Sequence, residues 1–471
     1  MARLKTQGRM TYQTEGVDFF MQDSQNGNML KEKYGLLTAV CMVVGTVIGS
    51  GIFFRNEAIL AAIGGRMWVG VLAWGIGGFI TLTSAYVFAI LAARYKKVGG
   101  LVDYSEILVS KRYGYMFGWF LSAVFYPSLA GILAWISGRF TVILFGWEVN
   151  PNFSAQTYLF ALIYLLGIFA INTLSPKLSG YFQVTTTFLK VVPLIAMGII
   201  GTIVGLSNGT ALANINTSYI PQAAGNPFLI ALVATAFAYL GWDAIININA
   251  EIKDSKRNLP IALVGGMLII ITIYIAYFVG VFSAAPIALL VGGEGVLKAF
   301  VNVFSSAAGT ILFVFIIISC IGTLNGLVIG AGRSFYVLAV RGNGPKPTVL
   351  SQVDTATNAP HNSAVLSLLF IGMWMMVYGA NFAGWYGGFF FDIPGLVPIT
   401  FQGFLIPLYI FIVAKEKDLG VFNRFVAPVT ALLGSFFLIF AVIYNQGSAV
   451  LWYLIVFTAV MCIGLFWFRK S

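Results

Sequence analysis

The chain has 471 residues, of which 59% are hydrophobic and 9% are charged, and its net charge at pH 7 is +11. Soluble domains carry about 25% charged residues, so this composition excludes a soluble globular protein and indicates an integral membrane protein. The basic residues lie at the ends of apolar runs and not on one polar face, which argues against nucleic acid as a partner.

Residues 1–33 are polar and mixed in charge, which predicts a cytoplasmic N-terminal tail and not a cleavable signal peptide. Each of the three cysteines falls within an apolar run. Such thiols are typical of packed helices, so we expect no disulfide framework, no metal site and no cofactor. The three are Cys41, Cys320 and Cys462.

Apolar runs between charged, glycine or proline residues predict about twelve membrane spans, since roughly 17 to 25 residues cross a bilayer. Most of the 27 basic residues then fall on the same side as the N-terminus. The positive-inside rule therefore predicts that both termini are cytoplasmic. Spans one to twelve are predicted at 36–64, 68–94, 114–144, 156–174, 180–206, 228–251, 260–284, 303–338, 362–380, 387–414, 424–445 and 448–468.

Span one contains V-G-T-V-I-G-S-G-I-F, from Val44 to Phe53. Gly49, Ser50 and Gly51 lie near its centre, and glycine disfavours a helix, so we predict a break there. Main-chain groups freed in hydrocarbon need protein, water or a polar solute as partners. The N–H groups that start the second half-helix suit a carboxylate, whereas carbonyl groups around Val47 suit an ammonium group. A glycine contact between continuous helices is the alternative.

Span five carries Lys190 deep in the membrane. Burying an unpaired ammonium group is costly, so such a residue indicates a function and a partner. We predict that its partners are carbonyl groups freed at the break in span one. Lys190 is then either a permanent cation or an amine that carries a proton with the substrate.

Span six contains the sequence F-A-Y-L-G-W from Phe237 to Trp242, followed by a polar stretch that ends at Glu251. Gly241 lies near mid-membrane and predicts a second break. Interrupted helices at matching positions in two halves are typical of inverted-repeat transporters, which bind substrate between them.

Three further polar residues within the spans are candidate pocket residues: Tyr126 in span three, Asp243 in span six and Asn325 in span eight. Asp243 could pair with a cationic substrate side chain, or it could bond to other helices. Tyr126 and Asn325 could line the pocket or link helices.

Four stretches together resemble the amino acid–polyamine–organocation (APC) superfamily: the span-one motif, F-A-Y-L-G-W-D in span six, the loop from Glu251 to Pro260, and Val98-Gly-Gly-Leu-Val-Asp-Tyr104. The chain looks most like L-type amino acid transporters and bacterial serine/threonine and alanine/serine/cysteine exchangers. This resemblance implies an all-α, LeuT-like fold with spans one and six discontinuous. Its inverted five-span repeats would be residues 34–206 and 207–415, with spans eleven and twelve in 416–471. Asp254-Ser255 departs from the Asn-Pro that is common in the family.

By the same resemblance, main-chain groups at the two breaks bind the two charged ends of an amino acid, and Phe237 closes over the site as an aromatic gate. Lys190 would stand where sodium-coupled relatives hold Na⁺, which favours the permanent cation. Tyr274 would be a gating residue beside span one. The residues implied are Gly49, Ser50 and Gly51 for the carboxylate, and Val47, Phe237 and Leu240 for the ammonium group.

The sequence contains no H-E-x-x-H or Walker sequence, and its G-x-S-x-G match, Gly205 to Gly209, follows the apolar run of span five and not a predicted strand, so it does not indicate a nucleophile elbow. The prediction is a secondary active transporter of L-amino acids in the cell membrane, which exchanges small neutral amino acids without sodium. The alternatives are a proton-coupled symporter or a carrier of cationic amino acids or polyamines. A channel is the least favoured alternative. We expect a monomer or weak homo-oligomer. We expect no disulfide-linked heavy chain, because the loop from Gly146 to Ser154 lacks the cysteine that eukaryotic relatives use.

Overall fold

The computed structural model describes residues 31–95, 99–147, 154–217, 226–291, 295–304, 306–387 and 391–469. Within these ranges the chain is helical, and a single β-bridge joins Tyr34 to Ile252. The predicted all-α fold is confirmed. Most of the predicted tail lies outside the described residues, but Lys33, its last residue, is packed against the helical body, where its Nζ donates to Glu251.

The first five spans include one broken helix and two helices with π turns. Short helices follow spans two and five at Leu101–Leu108 and Thr210–Asn216. The spans are Leu36–Val47 with Ser50–Ile63 (span one), Met67–Arg94 (two), Lys111–Phe120, Leu121–Phe125 and Tyr126–Phe145 (three), Ala155–Leu174 (four), and Pro176–Ala196, Met197–Gly201 and Thr202–Ser207 (five).

The remaining spans begin with the second interrupted helix. Short helices lie at Ile287–Leu290, Gly295–Phe304 and Pro347–Leu350. The spans are Pro227–Ala238 with Trp242–Glu251 (span six), Ser255–Ala284 (seven), Ser306–Ala339 (eight), His361–Gly379 (nine), Ile393–Lys415 (ten), Phe422–Val426 with Ala427–Gln446 (eleven) and Ala449–Leu465 (twelve).

The lengths of these helices agree with about twelve spans. Among the described residues, ten helices are long and apolar enough to cross a membrane, and the bent pair of span one is an eleventh candidate. The last helix, Ala449–Leu465, is apolar but has only 17 residues. It corresponds to the predicted twelfth span.

Two groups of contacts, one around Tyr34 and Glu251 and one around Arg139 and Asp392, define two faces of the molecule. The tail face is the one that carries Tyr34 and Glu251, close to the N-terminal tail. The far face is the opposite one and carries Arg139 and Asp392. Both interrupted spans run between these faces and contact each other where they break.

An aromatic cluster formed by spans two, six and seven packs against the second break. Trp74 of span two and Tyr239 of span six both pack on Tyr274 of span seven, with ring centroids 5.0 and 5.2 Å from it. Tyr239 also donates a hydrogen bond to the carbonyl of Trp74 at 2.9 Å. Aromatic pairs of this kind contribute about 0.5–1.5 kcal/mol beyond their buried area. The interrupted segment is therefore held in place by rigid side chains.

Candidate functional site

The first break separates the two halves of span one, which are bent by 46° relative to each other. Ile48 leaves the helical region with ψ 96°, and Gly49 follows with φ −129° and ψ −143°. The second half-helix begins at Ser50 without a side-chain cap. Its first N–H groups are therefore the main-chain donors that such a helix start offers to an anion.

Glycine is required here because neighbouring helices of the chain come very close. A Cβ atom at Gly49 would lie 2.8 Å from Thr323 Oγ1, and one at Gly51 would lie 2.9 Å from the Cα of Ala238. Gly51 thus allows the second half of span one to contact the end of the first half of span six.

The second break follows Ala238 in span six. Tyr239 has φ −97° and ψ 1°, and Gly241 lies in the left-handed region with φ 101°. Left-handed φ favours glycine, which has no Cβ atom to clash. The chain then continues as a tighter 3₁₀ helix from Trp242 to Glu251. Both predicted breaks are present in the structure.

A small cavity of about 20 Å³ lies between the two breaks. A water molecule needs about 10–15 Å³ of such space, so the cavity could hold water but must expand to hold an amino acid. Its walls combine main-chain groups with small or apolar side chains. The lining residues are Thr46, Val47, Gly49, Ser50, Gly51, Leu129, Leu133, Phe237, Ala238, Leu240, Thr323 and Leu327.

A larger cavity of about 450 Å³, the vestibule, lies on the far side of the small one. Ser50, Gly51 and Phe237 line both cavities, so these residues form the boundary between them. The other residues of the vestibule wall are Arg55, Ala58, Trp135, Ile136, Arg139, Phe140, Tyr378, Phe382, Asp392 and Pro394.

Charged and aromatic groups meet at this boundary. The guanidinium carbon of Arg55 lies 5.2 Å from the ring centre of Phe237, which is a cation–π distance. Arg55 Nη2 also lies 3.7 Å from Asp392 Oδ1 in span ten. Phe237, the predicted gate, is therefore linked through Arg55 to the far-face end of span ten.

Two layers of contacts close the route from the small cavity to the tail face. In the inner layer, Tyr274 Oη donates to the carbonyls of Val47 at 3.2 Å and Ala238 at 3.1 Å. This hydroxyl group therefore links both interrupted helices to span seven.

The outer layer is an ion-pair cluster around Glu251, which is fully buried. Its carboxylate accepts hydrogen bonds from Arg333 Nε at 2.9 Å and from Lys33 Nζ at 3.1 Å. Tyr34 pairs with this segment through its main chain, because its N–H donates to the Glu251 carbonyl and its carbonyl accepts from Lys253. The cluster joins the N-terminal segment, span six and span eight.

Lys190 reaches the first break from span five, as predicted. Its Nζ donates to the carbonyls of Gly45 and Ile48, both at 2.7 Å, and to the Ser319 carbonyl at 3.0 Å. The hydroxyl oxygen of Thr323 lies 3.2 Å away. The ammonium group has three N–H donors, which match these three carbonyl oxygens.

The predicted pocket residues divide into two groups. Val47, Gly49, Ser50, Gly51, Phe237 and Leu240 all line the small cavity. Tyr126, Asp243 and Asn325 are absent from its lining. Asp243 Oδ2 lies 2.5 Å from Tyr126 Oη, so these two residues link span six to span three.

Asn325 takes part in a separate polar network. Its amide donates to Gln183 Oε1 at 2.7 Å and accepts from Asn172 at 2.9 Å and from Ser179 at 3.2 Å. In this state its contacts link spans four, five and eight, which is one of the two roles predicted for Asn325.

The sequence reasoning missed the apolar wall of the small cavity, formed by Leu129, Leu133 and Leu327. Leucines in spans three and eight carry no signal that separates a pocket wall from ordinary helix packing. It also missed the pairing of Arg55 with Asp392, which lie on spans far apart in sequence. Two opposite charges inside or near predicted spans could have indicated that pair.

Comparison with known sequences gives consistent matches over most of the chain. The sequence profile described as amino acid permease matches residues 34–466. The serine/threonine exchanger SteT of Bacillus subtilis is 32% identical over 343 residues, which cover 72% of this chain and 75% of SteT. The b(0,+)-type amino acid transporter 1 of Mus musculus is 27% identical over 435 residues, covering 89% of this chain and 84% of that protein.

Solved structures with the same fold are also found. The crystal structure of MhsT in complex with L-phenylalanine superposes with a TM-score of 0.58 at 16% identity, covering 87% of this chain and 99% of MhsT. The substrate-bound, outward-open structure of a Na⁺-coupled sialic acid symporter gives 0.55 at 12% identity, covering 89% and 90%. The predicted LeuT-like fold is confirmed.

Two broken helices that meet around a small cavity in this fold define a membrane transporter, and the predicted absence of enzymatic function agrees with the relatives. The chain belongs to the amino acid permease family, within the APC superfamily predicted from its motifs. It is a multi-pass membrane protein whose relatives transport amino acids.

Proposed function

We propose that this protein exchanges small neutral L-amino acids across the cell membrane by alternating access, without sodium. The observation that carries this proposal is the small cavity between the breaks, which combines main-chain donors and acceptors with an apolar wall. The far face would be extracellular and both termini cytoplasmic, as the positive-inside rule predicts.

The two ends of the cavity suit the two charges of an amino acid. The uncapped N–H groups at Gly49, Ser50 and Gly51 would bind the carboxylate, since a helix N-terminus attracts anions. The carbonyls of Val47, Phe237 and Leu240 would bind the ammonium group. The Val47 carbonyl accepts one hydrogen bond, from Tyr274, and has a second lone pair available. The Phe237 carbonyl faces the N–H groups of Tyr239 and Leu240, so an ammonium group would displace one of them.

The wall supports a neutral side chain over a cationic one. Leu129, Leu133 and Leu327 line the cavity, whereas the carboxyl group of Asp243 points to Tyr126 and does not line it. The small volume of the cavity favours small substrates. A continuous pore finds no support either, because the Tyr274 and Glu251 contacts close the tail side.

The contacts of Lys190 support sodium independence. Its ammonium group occupies the carbonyl oxygens that a bound cation would otherwise need. These acceptors match a charged ammonium group, whereas a neutral amine would direct a lone pair at carbonyl oxygens. The contacts of Lys190 therefore favour a permanent cation over the proton-carrying amine.

The vestibule on the far side and the closed contacts on the tail side support an outward-facing state. In the proposed cycle, substrate passes from the vestibule to the small cavity, and Phe237 closes behind it. The Tyr274 and Glu251 contacts then break, and the interrupted helices tilt to open the tail side.

Reconstitution into liposomes tests the proposal. Uptake of labelled serine, threonine, alanine, leucine and arginine would be measured with and without unlabelled amino acid inside, in sodium and in choline buffers. We expect uptake of the small neutral substrates that requires internal amino acid and is equal in both buffers. Uptake driven only by a sodium gradient, or restricted to arginine, would refute the proposal.

Replacing Gly51 with valine is expected to reduce exchange about tenfold or more. The new side chain would meet Ala238 at the contact between the interrupted helices, and overpacking of this kind costs about 1–3 kcal/mol. Exchange kinetics in liposomes would measure the effect. Gly167→Val is the matched control, because no atom lies within 4 Å of a Cβ at that exposed site in span four. Equal losses in both variants would contradict a specific role for Gly51.

Replacing Arg55 with glutamine is expected to change the apparent KM by about two- to fivefold, since partly exposed ion pairs contribute about 0.2–1 kcal/mol. The variant loses the charge that links Phe237 to Asp392. Initial exchange rates over a substrate series would measure KM. Arg66→Gln is the control, because Arg66 is exposed and its Nε donates to the nearby Ile63 carbonyl at 3.0 Å, away from Phe237 and Asp392. An unchanged KM for Arg55→Gln would show that Arg55 has no role in the gate.

A further inference from the structure

Asp243 is a fully buried carboxyl group that binding of an amino acid, as proposed, does not use. Its Oδ2 atom lies 2.5 Å from Tyr126 Oη, and the Tyr126 hydroxyl also accepts a hydrogen bond from Asn247 Nδ2 at 2.9 Å. Its other oxygen, Oδ1, is buried without a hydrogen-bond partner in the described part of the chain. This carboxyl group therefore has a single side-chain donor within reach.

Tyr126 is placed by an irregular turn in span three. The π turn Leu121–Phe125 directly precedes it, and the N–H of Tyr126 donates to the carbonyl of Leu121, five residues back. Such π turns change the direction of the following side chains and are frequent at functional sites. The turn therefore sets the direction in which Tyr126 projects from span three.

No cation compensates Asp243 among the described residues of the elements packed against its segment, which are spans one, two, three, seven and eight and the short helix after span two. Arg55 and Arg139 line the vestibule on the far side, and Lys111 and Arg112 are exposed. Arg333 pairs with Glu251, Arg94 pairs with Glu416 and Asp418, and Asp103 and Glu106 pair with Arg341. Lys256 and Arg257 are exposed at the tail face. Lys190 is bonded at the first break.

The neighbouring tyrosines do not supply a charge either. Tyr274 donates to the carbonyls of Val47 and Ala238, and Tyr104 lies on the short helix beside Asn249. Besides Tyr126, the main-chain N–H groups of Gly241 and Asp243 lie beside the carboxyl group, but no cation does. Burying an ionised carboxylate without a counter-charge costs more than burying the neutral acid. The closed arrangement around Asp243 therefore favours the neutral, protonated acid.

The pair also lies directly behind the small cavity. Leu240, three residues before Asp243, and Leu129, three residues after Tyr126, both line it. Asp243 follows the second break, so it lies on the tail side of the cavity. The hydrogen bond joins span six to span three, and opening of the tail side would bring water to this carboxyl group.

We propose that Asp243 binds a proton whenever the tail face is closed, and that it must be reprotonated from the tail side before that face can close again. This inference rests on the alternating access proposed above. Opening breaks the O–H bond of the acid, and the proton passes to water. Closing reforms that bond with a proton taken from water on the tail side. A full exchange cycle then moves no net charge, because the proton released to the tail side on opening is replaced by one taken from the same side on closing.

Infrared difference spectroscopy on the purified protein tests protonation directly. We expect amino acid binding to change a carbonyl stretching band of a protonated carboxyl group in the wild type. The band should be absent in Asp243→Asn and shifted in Tyr126→Phe, which keeps the ring but loses the hydroxyl. Asp392→Asn is the control, because Asp392 lies beside Arg55 and should not contribute. A wild-type band that persists in Asp243→Asn, or no such band, would overturn the proposal.

Exchange in right-side-out and inside-out membrane vesicles tests the direction. The exchange rate should fall by up to about tenfold per pH unit as the buffer on the tail face becomes alkaline, because the protonated fraction falls by that factor. The pH on the far face should have little effect, and Asp243→Asn should remove the dependence. A dependence on far-face pH alone would overturn the proposal. Wild-type vesicles without any exchange would refute the proposed function instead, and the infrared result would still decide the protonation of Asp243.

Discussion

Replacing Lys190 with alanine should reduce amino acid exchange by about a hundredfold or more. The substitution removes the ammonium group that bonds to the carbonyls of Gly45, Ile48 and Ser319, and water cannot easily replace it at this fully buried site. Breaking a buried charged contact costs about 3–5 kcal/mol, and each 1.4 kcal/mol corresponds to a factor of about ten. The first break would then lose the contact that fixes it to spans five and eight.

The measurement is exchange in liposomes at equal protein content, after size-exclusion chromatography confirms a monodisperse variant. Lys177→Ala is a matched control, since Lys177 lies in the same span but is exposed. If Lys190→Ala transported at more than half of the wild-type rate, the break would not depend on this cation. Sodium should not stimulate the wild type, because Lys190 holds these oxygens.

Replacing Glu251 with glutamine should shift the protein strongly towards a state with the tail side open. Glu251 is buried between Arg333 and Lys33, so the substitution leaves two cations facing each other without a counter-charge. Removing one partner of a buried ion pair costs about 3–5 kcal/mol, which corresponds to a shift of about a hundredfold or more in the equilibrium.

Labelling of Cys320 would measure this shift. Cys320 is buried in span eight beside Ser50, and opening of the tail side should expose it. In a background with Cys41 and Cys462 replaced by serine, a membrane-impermeant maleimide applied from the tail side should react much faster with Glu251→Gln. Asp418→Asn is the control, because Asp418 belongs to an exposed pair with Arg94. Equal labelling of the two variants would show that the Glu251 cluster does not hold the tail face closed.

The interrupted helices could be predicted because their causes are local. Gly49, Gly51 and Gly241 weaken a helix wherever they stand, and hydrocarbon does not tolerate freed main-chain groups without partners. Lys190 was assigned to the break in span one for the same reason: a buried ammonium group needs several oxygens, and the break supplies them. These inferences require only the order of residues and the thickness of a membrane.

The directions of Tyr126, Asp243 and Asn325 could not be predicted in this way. Each direction depends on the rotation of a span about its axis, which packing against several other helices determines. The π turn before Tyr126 also changes the helical register, and no residue in Leu121–Phe125 signals it. The sequence therefore indicated that these polar groups need partners, but not which partners they have.

The contacts at the two faces depend on residues far apart in the chain. Eight spans lie between Arg55 and Asp392, and Lys33 lies at the end of a segment that composition alone assigns to the tail. Charge patterning places such residues near a membrane surface, but it does not pair them. Their roles as gates follow only from the three-dimensional arrangement.

The central claim is that main-chain groups at the two breaks bind the charged ends of an amino acid. An experimental map of the protein with a bound neutral amino acid tests it most directly. The account predicts the carboxylate at the N–H groups of Gly49, Ser50 and Gly51, and the ammonium group at the carbonyls beside Val47 and Phe237. A substrate bound elsewhere, or a span one that continues as an unbroken helix through Gly49, would contradict it.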